Sequence, residues 1–179
     1  LLKRHGLEVF RVETNMVNGG SLRTYVGFIG EHGIDPSVNK QRTIEAEAHL
    51  NSLSPYMLFA AKASEQLSKL TEIVKQHHEN GDKIAILAAS TRGSTIWQAA
   101  DIGQYVEYAV ERNPEKVGKR FSAIGVPIVS EEQARKDNPE VMIIGPWFFA
   151  DEIIDREAEY LQNGGTLILP LPEVEEIRW

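Results

Sequence analysis

The sequence predicts an α/β protein: a doubly wound, mainly parallel sheet, preceded by a pair of helices and an antiparallel strand pair. Three observations carry this. From Lys83 onward, short continuous runs of Val, Ile, Leu and Ala alternate with helical segments. Strands of that composition are buried on both faces, as in a parallel sheet covered by helices. Ahead of them stand two helical patterns, and ahead of those two apolar strands around an Asn-Gly-Gly turn. Right-handed crossovers between the parallel strands make the expected sheet Rossmann-like.

The elements follow in order. "LLKRHG" reads as the last turn of a helix, with Lys3, Arg4 and His5 at the negative end of its dipole and Gly6 just past it. So short a helix cannot stand alone, and Leu1 occupies the place of an initiator Met. The chain is therefore expected to be a fragment whose N-terminal part has been removed. Leu7–Thr14 alternates apolar and polar residues and pairs with a second strand from about Leu22 to Ile29. A hairpin alone is marginally stable, so residues 1–30 read as the trailing edge of an upstream sheet. Residues 31–80 form a helical connector. Its first helix spans about Gln41–Leu50; the second starts at Ser54, a cap followed by Pro55, and runs to about Asn80. Tyr56, Ala60, Ala63, Leu67, Leu70 and Val74 form an apolar stripe on it. The stripe suits packing along a sheet or neighbouring helix, with a coiled-coil seam and a homodimer as the alternative. His77 and His78 fall in the last turn, where a dipole-facing or solvated role is usual; adjacent residues do not share a helix face, which argues against a two-His metal site.

Residues 81–179 form the Rossmann-like domain: strands at "KIAILAA", "YVEYAVE", "GVPIV", "VMIIG" and "TLILPL", and helices at "STIWQAADIG", "SEEQARKDN" and "FADEIIDREAEYLQNGG".

The net charge of −7, with no basic run, argues against a nucleic-acid partner. No apolar run reaches the length of a membrane span, and nothing resembles a secretory leader. With no Cys, disulfides and cysteine-ligated metals are excluded, which fits a cytoplasmic protein.

Ligands of such sheets lie at the carboxyl ends of the strands. The first loop there is "AASTRGST". Ser90 and Thr91 offer hydroxyls, Arg92 a fork of donors, and Gly93 a close backbone approach. Ser94 and Thr95 are expected to begin the helix, whose free N–H groups favour an anion such as a diphosphate. The loop is neither a Walker motif nor a dinucleotide fingerprint: Ala88 stands at the first Walker glycine, Ser94 at the lysine, and only Gly93 is present of the G-x-G-x-x-G set. An ordinary strand-to-helix turn with Ser and Thr caps is the competing reading. In the second loop Glu111 ends a strand where an acid commonly takes ribose hydroxyls, Asn113-Pro114 signals a turn, and Arg112, Lys116, Lys119 and Arg120 cluster positive charge; a solvated loop with one salt bridge competes. In the third, Trp147 follows a strand end and can stack on a base or sugar, or pack in the core. Asp151 and Asp155 read as a solvated helix face, and Glu152 with Arg156 as an i,i+4 pair. No catalytic group and no metal-ligand cluster is identifiable.

The pieces "LLKRHGLEVFRVE", "NGGSLRTYV", "AASTRGST", "YAVERNPEKVGKRF" and "GPWFFADEIIDREAEYLQNGGTLILPLPEVEEI" together cover nearly the whole chain. In that order they resemble the C-terminal region of S-adenosylmethionine-dependent sugar C-methyltransferases, which act on nucleotide-linked deoxysugars. The resemblance implies an enzyme with a zinc-binding N-terminal domain, a central methyltransferase domain and a Rossmann-like C-terminal domain that helps bind a nucleotide diphosphate sugar of the thymidine type. Residues 1–30 would then end the methyltransferase sheet. S-adenosylmethionine and the catalytic Tyr-x-Glu-His segment would lie upstream, leaving this chain inactive alone. In the intact enzyme an upstream base would deprotonate the sugar carbon beside a keto group, and the enolate would attack the donor methyl. Ser90, Thr91, Arg92, Gly93 and Ser94 are the expected nucleotide contacts, with Glu111, Asn113 and Trp147 beside them and Asn18 and Arg23 facing a shared cleft. The chain departs from the family pattern at Asn18, where His is frequent, at Phe148, where a polar residue is common, and at Arg92, where Lys is frequent. Alternatives from other classes are a non-catalytic scaffold or dimerisation module, and a binder of another small phosphorylated ligand.

Overall fold

The computed structural model describes residues 1–179, the side chain of Asn18 excepted. The chain clusters into two compact units, Leu1–Ala61 and Lys62–Trp179.

In the first unit a 3-10 turn, Leu2–His5, is closed by Gly6 at φ 70°, the left-handed conformation that glycine adopts without strain. Strands β1 (Leu7–Asn15) and β2 (Ser21–Phe28) pair antiparallel, Leu7 opposite Phe28. Helix α1 (Pro36–Glu47) begins earlier than the expected Gln41. The Asp35 carboxylate accepts from the Ser37 amide at 2.8 Å, and Pro36 supplies a helical φ at the first position. The Ser37 hydroxyl in turn accepts from the Val12 amide at 3.0 Å and ties α1 to β1.

Helix α2 (Ser54–Glu79) is the expected long helix, and the unit boundary falls within it. The apolar stripe is divided. Leu70 and Val74 are buried, whereas Tyr56 is exposed with its neighbours Met57, Leu58 and Phe59.

The second unit is built on a sheet of seven strands: β3 (Ile84–Leu87), β4 (Tyr108–Glu111), β5 (Arg120–Phe121), β6 (Val126–Ser130), β7 (Val141–Ile144), β8 (Thr166–Leu169) and β9 (Glu175–Ile177). Their spatial order is β5-β6-β4-β3-β7-β8-β9. The five inner strands are parallel and the two edges antiparallel. The chain starts at β3, winds outward to β6, then returns to β7 on the other side of β3, so the order reverses between β3 and β7. Side-chain alternation divides the core. Ile84, Ile86 and Ile143 face Leu70, Val74 and Trp97 on one side; Leu87, Val110 and Ile144 face Ile153 and Leu161 on the other.

Four helices join these strands: α3 (Thr91–Ala99), α4 (Glu131–Asp137), α5 (Ala150–Arg156) and α6 (Ala158–Gln162). The last two were expected as one helix. They are separated at Glu157, whose side chain is fully buried and lies 2.9 Å from Arg156 and 2.5 Å from Arg135. His77, expected at a solvated helix end, is buried: Nδ1 lies 2.5 Å from Asp82 and Nε2 2.8 Å from Glu176, which fastens β9 to α2.

Candidate functional site

The reversal point brings two backbone segments into contact. The Gly145 amide donates to the Leu87 carbonyl at 2.9 Å, and a Cβ on Gly145 would stand 2.6 Å from the Ala88 oxygen. Ala88 itself has φ 72°, so the position of the missing Walker glycine keeps a glycine-like backbone with an alanine in place. The loop then turns directly into α3.

That helix begins at Thr91, not at Ser94. Ser90 is the cap, its hydroxyl oxygen accepting from the Gly93 amide at 3.1 Å. Thr91, Arg92 and Gly93 thus form the first turn, and helix geometry leaves the Thr91 and Arg92 amides without intrahelical acceptors. Gly93 is needed by its neighbour: a Cβ there would lie 2.8 Å from Nε1 of Trp97, which is wholly buried beneath the turn. Ser94 bonds back to the Ser90 carbonyl at 3.2 Å. Arg92 is exposed and its guanidinium lies 4.9 Å from the centre of the Phe148 ring, a cation–π contact from α3 to the loop after β7. Trp147 is half-buried and meets Phe148 edge-on at 5.6 Å.

Glu111 ends β4 with its carboxylate occupied. Oε1 accepts from the amides of Arg112 at 2.9 Å and Asn113 at 3.2 Å; Oε2 accepts from Lys116 Nζ at 2.8 Å. Burial alone would raise its pKa, but Lys116 and the two amides outweigh burial and hold the carboxyl below the usual range. Lys116 also donates to the Ala89 carbonyl at 3.2 Å, which links this loop to the one after β3. The Asn113 side chain closes its own turn by accepting from the Glu115 amide at 3.0 Å. Arg23 is exposed on β2, 4.0 Å from Glu13. The Asn18 side chain lies outside the described residues.

A cleft of about 320 Å³ opens at the carboxyl ends of β3, β4 and β7, on the α4 and α5 side of the sheet. Of the expected site residues only Glu111 lines it; the others in its wall include Arg112, Glu131, Phe149 and Arg156. Arg112 Nε donates to Glu131 Oε1 at 2.8 Å, and Arg156 Nη2 stands 3.8 Å from the same oxygen. Arg156, expected to pair with Glu152, turns to Glu157 and Glu131 instead. Sequence reasoning placed Arg112 in a positive cluster but passed over Phe149 and Glu131, whose only signal was proximity to a strand end. Among the described residues no group of three or more His, Asp or Glu is placed to hold a metal, and no helix is long and apolar enough to cross a membrane.

The model of the C-methyltransferase C-terminal domain family matches residues 16–172. The chain belongs to that family. The C-methyltransferase NovU of Streptomyces niveus is 31% identical over 175 residues, 97% of this chain. The match spans 42% of that relative's length. In this C-methyltransferase C-terminal domain, then, the reversal point carries the capped first turn of α3 and the aromatic run after β7, with the Glu111–Lys116 loop tied to it through Ala89.

Proposed function

We propose that this chain is the nucleotide-sugar-binding part of an S-adenosylmethionine-dependent sugar C-methyltransferase and grips the diphosphate of its ligand at the first turn of α3. One observation carries the reading: at the carboxyl ends of the central strands, a capped helix start and a guanidinium steadied by an aromatic ring stand together. Free amides and a helix dipole favour an anion, and a planar guanidinium offers paired donors to phosphate oxygens. Ser90 keeps its hydroxyl proton as a further donor while its oxygen serves as cap. Glu111, Asn113 and Lys116 act by fixing the neighbouring loop, and Trp147 by supporting Phe148. A thymidine diphosphate sugar is the proposed ligand class.

The acid at the end of β4, where a ribose acceptor is wanted, already accepts from Lys116 and two amides. In this reading the donor and the catalytic base belong to the rest of the intact enzyme, and the task of this chain is to hold and orient.

Calorimetric titration with thymidine diphosphate tests the reading. Arg92→Ala is expected to weaken binding by roughly ten- to hundredfold, the worth of a charged hydrogen bond. Equal affinity in native and variant protein would sink it.

A second reading, a dimerisation module, draws on the exposed Tyr56, Met57, Leu58 and Phe59 at the start of α2. Exposed apolar residues gathered in this way mark interaction surfaces. Sedimentation analysis of the native chain and a Met57→Ser, Phe59→Ser double variant decides it: a dimer lost in the variant supports the module, and a native monomer excludes it.

A further inference from the structure

The C-terminal strand is fastened to α2 at two points. Just ahead of β9 the Val174 amide donates to the Gln66 side-chain oxygen at 2.8 Å, and Val174 itself is buried. Within β9, Glu176 reaches His77 near the end of α2. Successive side chains of a strand point to opposite faces. Glu176 and Arg178 accordingly turn toward His77, while Ile177 packs in the core on the other face of the sheet. The segment leading into β9 also borders the aromatic run: Leu171 and Pro172 line a hollow of about 330 Å³ together with Trp147, Phe148 and Phe149.

His77 is the contact that can change. Its ring is buried, with Nδ1 2.5 Å from Asp82 and Nε2 2.8 Å from Glu176. An ionised carboxylate only accepts, and a neutral imidazole carries a single N–H. Both contacts are hydrogen bonds together only when the ring carries two protons. Remove one proton and a nitrogen lone pair faces a carboxylate oxygen at close range. Asp82 is five positions from His77 and belongs to the turn that closes the helix; Glu176 is ninety-nine positions away. The strand is thus the partner that can leave.

The other charges nearby are engaged elsewhere. On α2, Lys75 pairs with Glu79 and His78 stacks against Tyr105. In the turn after α2, Lys83 pairs with Asp137. On β9, Glu175 points to the opposite face, and Arg178 Nη2 donates to Glu176 at 2.6 Å while standing 3.4 Å from Nε2, too far for a strong hydrogen bond. Burial would raise the Glu176 pKa, but the bonds from His77 and Arg178 outweigh it and hold the carboxyl below its usual range. Glu176 therefore keeps its charge across the span in which histidine side chains change theirs, about pH 5 to 8.

We infer that His77 is a proton-operated latch on the C-terminal strand: with both ring nitrogens protonated it clasps Glu176 and holds β9 to α2, and on losing a proton it lets the strand loosen. The clasp is full on the acid side of that span and fades as pH rises. Amide hydrogen exchange of the whole chain at about pH 5.5 and about pH 8, corrected for the pH dependence of exchange itself and referred to β3 amides, tests it. Protection of the Glu175–Ile177 amides is expected to fall by roughly tenfold at the higher pH, the low end for one hydrogen bond to a charged group. Glu176→Gln should hold the same protection at both values within about twofold, because an amide can accept from a protonated Nε2 or donate to a bare one. Nitrogen-15 spectra of the imidazole are a second readout, with two protonated ring nitrogens at the lower pH and one at the higher. Protection that does not change in the native chain, an equal fall in Glu176→Gln, or a ring singly protonated throughout overturns the latch.

Discussion

Glu111 and Gly93 show how single residues fix the loops at the strand ends. The folded Glu111 carboxyl has a pKa below its ordinary value because Lys116 and two amides bond its charged form and outweigh the opposing effect of burial. The folded state then binds fewer protons than the unfolded state, so the stabilisation is full above the unfolded pKa of about 4.3 and fades as pH falls through the lower, folded one. Glu111→Gln is expected to destabilise by about 1–2 kcal/mol at neutral pH, with the native and variant unfolding curves converging as the solution is acidified below that range. A constant difference down to strong acid would show that the charge is not what matters. Gly93 gives a prediction of opposite sign to helix propensity. Alanine in a helix ordinarily gains about 1 kcal/mol over glycine, but here its Cβ meets the Trp97 indole and the Ser90 hydroxyl at 2.8 and 3.0 Å. Gly93→Ala should lower stability by roughly 1–3 kcal/mol, the usual cost of overpacking, and a raised melting temperature would contradict the contact.

Among elements, α3 depends on its cap. Ser90→Ala removes the acceptor for the Gly93 amide and should cost about 1 kcal/mol, read as a lower urea midpoint at unchanged slope. The parallel strands were readable because Ile84–Leu87, Val141–Ile144 and Thr166–Leu169 are short, nearly unbroken apolar runs. The helix starts were harder. Ser90 and Ser94 are both competent caps by residue type, and the helix starts after Ser90, with Gly93 in its first turn over Trp97. The division of α5 from α6 left no local mark, since it depends on Glu157 meeting Arg135 from another helix. Edge strands β5 and β9, with two and three residues, are too short for a pattern. The buried place of His77 rests on Glu176, ninety-nine positions away. The cleft escaped for the same reason: Arg112, Glu131, Phe149 and Arg156 come from separate parts of the chain.

At the scale of the whole molecule, the two units differ in how much apolar surface they hide. In Leu1–Ala61 the one buried hydrophobic among the described residues is Val38, while Met16, Phe28 and Leu53 are exposed. The second unit holds two continuous cores on the two faces of its sheet. Opening free energy follows buried apolar contact, so hydrogen exchange is expected to be faster for β1 and β2 amides than for β3 and β7 amides, by roughly a hundredfold or more where local opening competes with global unfolding. Protection of β1 equal to that of β3 would refute this. The meeting of Gly145 with Leu87 and Ala88 has a further consequence. The two loops share one backbone frame with no room for a methyl group between them, so they cannot drift apart independently. The side chains they display, Arg92 on one and Trp147, Phe148 and Phe149 on the other, are borne by that frame without being part of it. If the proposed diphosphate reading holds, exchanging those side chains is expected to change ligand preference while the scaffold beneath stays as it is, which would make these two loops a natural place to engineer new specificity.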